Sequence, residues 1–234
     1  MRLAIFPARG GSKRIPRKNV APFAGRPMLS WAVSAAVDSG VFDDIVVSTD
    51  DEEIAESAVA AGAAVPFRRP SSLADDYTPA RAVFIHALEE MERLKGAHYA
   101  EVCGIFPTAP FLTPDDLRSA HKVLDETKEA LFVFSAATYT FPIQRALRFE
   151  PGGGVALYQP EHITTRSQDL EEAFHDAGQF YWGRREAFLS GHPMFSAQSR
   201  PYFLPRSRVQ DIDTPEDWDV AERLFAIQLQ AAPA

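Results

Sequence analysis

Short apolar runs alternate with amphipathic stretches along most of this chain. Strand-like runs fall at Leu3–Ala8, Asp44–Ser48, Ala64–Phe67, Tyr99–Phe106 and Leu131–Ser135. Between them the 3.6-residue period predicts helices over 27–39, 51–61, 79–94 and 114–128, with a last helix over 215–231. In that last helix Trp218, Ala221, Phe225 and Leu229 fall on one face, which suits docking on a core. Strands alternating with helices predict a parallel sheet covered on both faces. The helix starts carry recognisable caps. Thr113-Pro114-Asp115-Asp116 and Thr214-Pro215-Glu216-Asp217 each offer a capping Thr, a Pro at the first helical position and acids behind it. Asp50 with Glu53 forms a candidate capping pair, and Gly40 and Gly62 fit helix ends.

The rhythm breaks after residue 136. Residues 137–180 show no helical period and read as short strands and turns, with Pro151-Gly152-Gly153-Gly154 as a tight turn before Val155–Tyr158. A stretch this small with β character does not fold alone. The expected organisation is therefore an α/β domain from 1–136 and 181–234, with a β-rich insertion at 137–180 steadied by a partner subunit. Residues 202–210 return to strand.

Composition then narrows the possibilities. A chain of 234 residues that is 46% hydrophobic and 24% charged has the make-up of one folded core, not of a disordered segment. No apolar run is long enough to span a membrane, and no leader-like segment opens the chain, so a cytoplasmic protein is expected. The single Cys103 cannot pair within the chain and sits in an apolar run, as a buried filler would.

Charge is where chemistry first shows. The net charge is −8, yet residues 1–37 hold seven basic side chains and no acid. The acidic balance argues against nucleic acid as a partner, so the basic cluster is a local device. It surrounds Gly10 and Gly11, directly after the first strand, where a strand-to-helix turn in such sheets holds nucleotides. Glycines let the backbone present N–H groups to oxyanions, and Arg9, Lys13 and Lys18 supply the charge that a triphosphate needs. No Gly-Lys-Ser/Thr follows four variable residues, and no Gly-x-Gly-x-x-Gly occurs, so neither common phosphate fingerprint applies. A second candidate centre is Asp211-Ile212-Asp213-Thr214. Two carboxylates at i and i+2 can point the same way from a strand end and suit Mg²⁺; the alternative makes Asp213 or Thr214 a helix cap and Asp211 a turn residue.

Taken together, these segments resemble the CMP-sugar synthetases of acidic sugars, the cytidylyltransferases of nonulosonates and KDO. Ile5-Phe6-Pro7-Ala8-Arg9-Gly10-Gly11-Ser12-Lys13 through Lys18-Asn19 is similar to the family's nucleotide loop. Val46-Val47-Ser48-Thr49-Asp50, Arg69-Pro70 with Leu73-Ala74-Asp75-Asp76, and the Asp211–Thr214 motif match as well. Pro142-Ile143-Gln144-Arg145-Ala146, Arg166-Ser167-Gln168-Asp169-Leu170, His175-Asp176-Ala177-Gly178-Gln179-Phe180-Tyr181 and Leu204-Pro205-Arg206-Ser207-Arg208 look closest to the branch that activates pseudaminic acid. The sialic-acid branch carries Gln-Pro-Thr-Ser-Pro where this chain has Phe106-Pro107-Thr108-Ala109-Pro110, and Arg-Pro-Asn-Gly where it has His175-Asp176-Ala177-Gly178.

The resemblance implies a Rossmann-like nucleotidyltransferase fold, a homodimer formed through the insertion, Mg²⁺ as cofactor, and CTP with a nonulosonic acid as substrates. It also implies surface glycans or flagellin as the product's destination. Ala8, Arg9, Gly11, Ser12, Lys13, Lys18, Asn19 and Arg69 would bind the nucleotide, and Asp211 and Asp213 the metal. Arg9, Lys13, Lys18 and Asp213 would act on the reacting phosphates, with Asp213 through water one candidate for the general base. Phe106, Thr108, Arg145, Arg166, Gln168 and His175 would contact the sugar. Arg145 and Arg166 could equally hold the insertion together by salt bridges, and His175 could be an ordinary hydrogen-bonded histidine. Phe180, Tyr181 and Trp182 read as packing, and His86 as structural.

Overall fold

The computed structural model describes residues 1–231. Ten strands and six helices follow one another as β1 (Arg2–Pro7), β2 (Pro22–Phe23), β3 (Arg26–Pro27), α1 (Met28–Ser39), β4 (Asp44–Ser48), α2 (Glu52–Ala60), α3 (Ala80–Lys95), β5 (Glu101–Ile105) and α4 (Pro114–Glu126). The chain continues through β6 (Phe132–Thr138), β7 (Leu147–Phe149), β8 (Val155–Leu157), β9 (Phe174–Arg184), α5 (Arg185–Leu189), β10 (Ser199–Phe203) and α6 (Pro215–Ala231). Six strands form the central sheet in the order β10-β6-β9-β5-β1-β4. Within it β4, β1 and β5 pair in parallel, and so do β10 and β6. Strand β9 alone runs against its neighbours β5 and β6.

The α/β architecture expected from the alternation is therefore present, with one reversed strand in a sheet expected to be parallel. The chain reaches β9 through a segment without a crossover helix, and such a connection lets a strand enter antiparallel. Three other expectations change. Residues 64–67 contribute only the single bridge Val46–Ala64. Residues 202–210 are strand only to Phe203, and a one-turn helix covers Arg206–Arg208, because Pro205 offers no N–H for a ladder to continue. Asp51, not Asp50, caps α2 by accepting from the Ile54 N–H at 3.1 Å.

Both sheet faces are covered. Trp182, Phe6, Cys103 and Leu117 lie in one buried layer, and Leu3, Phe84, Phe132 and Phe188 in the other. Gly104 is required here, since a Cβ on it would stand 2.3 Å from the Phe84 ring. Burial also pushes the Cys103 thiol well up, in keeping with a filler. A third cluster joins Phe23 and Phe111 to Ala221 and Phe225 of α6, with Trp218 and Leu224 packed beside them. Leu229, expected on that face, is exposed, and Leu224 takes its place in the cluster.

Both proline caps form. Thr113 and Asp116 exchange hydrogen bonds at the start of α4, and Thr214 and Asp217 do the same at α6. The carboxyl ends of β1, β4, β5 and β6 share one edge of the sheet, which is where these folds place ligands.

Beyond Thr138 the architecture thins. The small β7–β8 hairpin turns through Gly152 and Gly153, both at positive φ, and one-turn helices lie at Ile143–Arg145, Pro160–His162 and Ser167–Asp169. Strand β9 crosses residue 180, so residues 174–180 belong to the central sheet. At the bulge between Phe134 and Ala136, the buried Ser135 hydroxyl accepts the N–H groups of Gln179 at 3.0 Å and Phe180 at 3.2 Å. The bulge thus leaves neither N–H unpaired.

Candidate active site

Strand β1 delivers the chain at Pro7 into a long loop that reaches α1 only at Met28. Asn19 ties the two ends of this loop together. Its buried side-chain amide donates to the Arg9 carbonyl at 3.0 Å, and its own carbonyl accepts from Leu29 at 2.9 Å. At Gly10 the backbone passes so close to α2 that a Cβ would stand 2.7 Å from Asp51 Oδ2. The Gly10 N–H donates to Asp50 Oδ1 at 3.1 Å. Gly11 meets nothing, and its neighbour Ser12 donates its N–H to the Gly10 carbonyl at 3.1 Å.

The cations of this loop are drawn to carboxylates from three directions. Arg9 pairs with Asp76 at 2.6 Å, and Lys13 joins it on the other oxygen. Arg14 pairs with Asp213 at 2.6 Å. Lys18 donates to the Ile212 carbonyl at 2.6 Å and lies 3.4 Å from Asp213. Arg17, in a left-handed conformation, forks onto Asp51 and also reaches Glu53. That pairing raises the Arg17 guanidinium further and holds the Asp51 carboxyl low.

Arg9, Ser12, Lys13, Arg14, Lys18, Asn19, Asp76, Phe106, Pro107 and Thr108 line a cleft of about 430 Å³. This volume suits a small ligand. Arg69 lies nearby, buried, with its guanidinium donating to the carbonyl and hydroxyl of Ser48. Burial pulls it down to about 10; Asp50 opposes that shift and Arg9 adds to it. It remains fully charged at neutral pH. Ala8 is buried at the strand end, its N–H on the Ser48 carbonyl at 3.1 Å.

Asp211 and Asp213 flank the buried Ile212 just before α6. Thr214 caps that helix, so the Asp213 carboxylate is free to face the loop cations. Burial and then the charge of Asp213 push the Asp211 carboxyl up, while Lys18 and Arg14 pull it down. Two oxygen donors crowded against each other in this way fit a hard divalent cation. Among the described residues no group of three or more His, Cys, Asp or Glu side chains is placed to hold a metal. Phosphate or water oxygens would have to complete such a shell.

The residues expected to meet the sugar divide into two groups. Phe106 and Thr108 line the phosphate-loop cleft. Arg145, Arg166, Gln168 and His175 do not. Arg145 donates to the Thr165 carbonyl and to the Ser167 hydroxyl at 3.2 Å, and Arg166 pairs with Asp169 at 2.6 Å. Gln168 is exposed on the rim of a separate hollow, and His175 lies against the Tyr139 ring with Nδ1 2.9 Å from the Asp176 carbonyl.

Sequence reasoning gave no role to Asp76, Asp50 or Asp51 in organising the loop. Nor did it foresee the buried Asp116–Arg208 pair, or the Gln179 amide donating to the Arg208 carbonyl at 2.6 Å. The partners lie 29 to 92 residues apart, a separation that local pattern cannot bridge.

Comparison with known proteins settles the family. A cytidylyltransferase family model matches residues 3–231. The chain belongs to that family. It is 41% identical to the pseudaminic acid cytidylyltransferase of Campylobacter jejuni over 230 residues, which is 98% of each chain. It is 31% identical over 236 residues to the CMP-N,N'-diacetyllegionaminic acid synthase of Legionella pneumophila, again covering 98% of each. A solved structure of CMP:2-keto-3-deoxy-manno-octonic acid synthetase complexed with CTP superposes with a TM-score of 0.69 at 14% identity. It covers 97% of this chain and 99% of that one, and at this identity it speaks for the fold. This cytidylyltransferase contains no helix, among the described residues, that is long and apolar enough to cross a membrane.

Proposed function

We propose that this cytidylyltransferase couples CTP to pseudaminic acid, giving CMP-pseudaminic acid and pyrophosphate. The observation that carries the reading is the cleft at the carboxyl edge of the sheet, where Arg9, Lys13, Arg14 and Lys18 converge beside Asp211 and Asp213. The similarity to the C. jejuni enzyme supports the sugar.

In this reading the sugar's anomeric hydroxyl attacks the α-phosphorus, and the bond to the β-phosphate breaks. Such chemistry depends on positioning and charge neutralisation. Arg9, Lys13 and Lys18, with the Gly11 N–H and Ser12, hold the triphosphate and the departing pyrophosphate. Asn19 fixes the loop, while Ala8 and Arg69 shape the nucleotide's seat. Asp211 and Asp213 would hold a Mg²⁺, which supplies positive charge at the reacting phosphate. Asp213 acting through a water is our candidate for the base that takes the hydroxyl proton.

Phe106 and Thr108 border the sugar's reacting end. Arg145, Arg166, Gln168 and His175 lie on or next to the stretch 137–180, outside the cleft of their own chain. We read that stretch as the insertion of one copy closing the sugar pocket of another, in a homodimer. Exposed Phe141, Leu147, Phe149, Val155, Tyr158 and Ile163 support this, since a face so apolar is suited to a partner. The reaction would take place in the cytoplasm, where CTP is made.

The test is pyrophosphate release from CTP and Mg²⁺ with pseudaminic, legionaminic and N-acetylneuraminic acids and KDO in parallel. Release with pseudaminic acid well above the others is expected. Release with another acid would reassign the pocket, and no release with any acid despite CTP binding would overturn the reading.

A further inference from the structure

Two carboxylates hold four cations of the phosphate loop, approaching from different parts of the chain. Asp213 belongs to the acidic pair already described. Asp76 has no such role, yet it lines the same cleft and engages both Arg9 and Lys13. It stands between the one-turn helix Ser71–Leu73 and α3.

The neighbouring Asp75 shapes this turn. One of its oxygens accepts the N–H of Tyr77 at 2.9 Å and both the N–H and hydroxyl of Thr78 at 2.7 Å. Asp76 is thereby left to project at the loop. Its Oδ1 meets Arg9 and its Oδ2 meets Lys13, and among the described residues these are its ion-pair partners. A carboxylate bridging two cations presents them with what two oxygens of one phosphate group would present. Lys13 first, and then Arg9, hold the Asp76 carboxyl below its usual range, so it is ionised at neutral pH.

We propose that Asp76 is a resident stand-in for a phosphate group, keeping Arg9 and Lys13 in place until the triphosphate displaces it. The proposal rests on reading the cleft as a triphosphate site. Asp76 would be a positioning residue that acts through the two cations. Its presence lowers phosphate affinity, because two ion pairs must break and an anion stays beside the bound phosphates. In return the cations are ordered beforehand, and the carboxylate's return helps pyrophosphate leave. A merely structural tether predicts the opposite sign: removing it would loosen the loop and weaken phosphate binding.

The decisive measurement is calorimetric titration of the full chain with inorganic pyrophosphate in EDTA, comparing Asp76→Asn, Asp76→Glu and Asp75→Asn with the parent. Exposed ion pairs are weak, so Asp76→Asn should bind about three- to tenfold tighter, and the gain should shrink at high salt. Asp76→Glu should move back toward the parent, and Asp75→Asn should not tighten binding. In the full reaction Asp76→Asn should lower the KM for CTP without raising kcat. Unchanged or weaker pyrophosphate binding by Asp76→Asn, with the parent still binding, would overturn the role of Asp76 alone. Failure of every variant and the parent to bind pyrophosphate would overturn the triphosphate-site reading, and this proposal with it.

Discussion

The phosphate loop and the stretch 137–180 differ in how they are held. The loop carries many cations, but Gly10 sits against the start of α2, Asn19 ties its ends and carboxylates from residues 51, 76 and 213 meet its side chains. The stretch 139–173 has a hairpin of two three-residue strands, single helical turns and local ion pairs such as Arg166–Asp169 and Arg148–Glu150. Its large apolar side chains face outward, with Phe149 88% exposed and Phe141 80% exposed. A polar site can be preorganised within one chain, because charges find partners over short distances. Apolar side chains left this exposed are suited to a second surface that covers them.

The largest effect that would sharpen this contrast is at the loop. Lys18→Ala should lower kcat/KM by about 10²–10³, the usual cost of removing one electrostatic group from a reacting centre. Lys18 also supports the Ile212 carbonyl, so some stability should be lost with it. Lys13→Ala separates the two effects, since Lys13 is 80% exposed and pairs only at the rim. Steady-state kinetics beside a melting curve is the check. A Lys13→Ala enzyme that melts normally and turns over normally would remove that lysine from the triphosphate site.

Much of the loop was legible before any fold was known, because glycine, lysine and arginine next to a strand have few other uses in an acidic chain. The two proline-started helices were legible for a similar reason: Thr113 with Asp116 and Thr214 with Asp217 satisfy their own N–H groups locally. The reversed strand β9 was not, since its direction is fixed by pairing with β5 and β6 rather than by its own sequence. The rest of the site was hidden for the same reason. Asp76 reads as a loop acid until the fold brings it to Lys13, 63 residues away. Arg145 and Gln168 read as pocket residues, while in the single chain they stand outside the cleft.

The second test targets the outward apolar face. In the double variant Leu147→Asp/Phe149→Asp, two carboxylates replace exposed side chains that bury little within the chain, so the fold should survive. If a second copy covers this hairpin, sedimentation should show the dimer giving way to monomer by at least tenfold in dissociation constant. CTP affinity should change little, because the cleft lies elsewhere, while turnover with sugar should fall. A variant that stays dimeric with full turnover would place any interface on another surface.

The smallest effect on the fold, and the finest distinction, concerns Arg166. Its pair with Asp169 spans three residues at the surface, with the Arg166 side chain 72% exposed. Such a pair contributes about 0–1 kcal/mol, so Arg166→Ala should shift the melting temperature by only a degree or two. The KM for CTP should also hold, because Arg166 lies outside the lining of the phosphate cleft. If Arg166 meets the sugar's carboxylate across a dimer, the KM for the sugar should rise about tenfold while both other readouts stay put. A charge-assisted hydrogen bond to substrate is worth roughly that much, well above the surface pair. An unchanged sugar KM would return Arg166 to a purely structural pairing. It would leave Arg145 and Gln168 as the residues to test at the same interface, because Arg145 donates to Thr165 and Ser167, next to Gln168 in sequence.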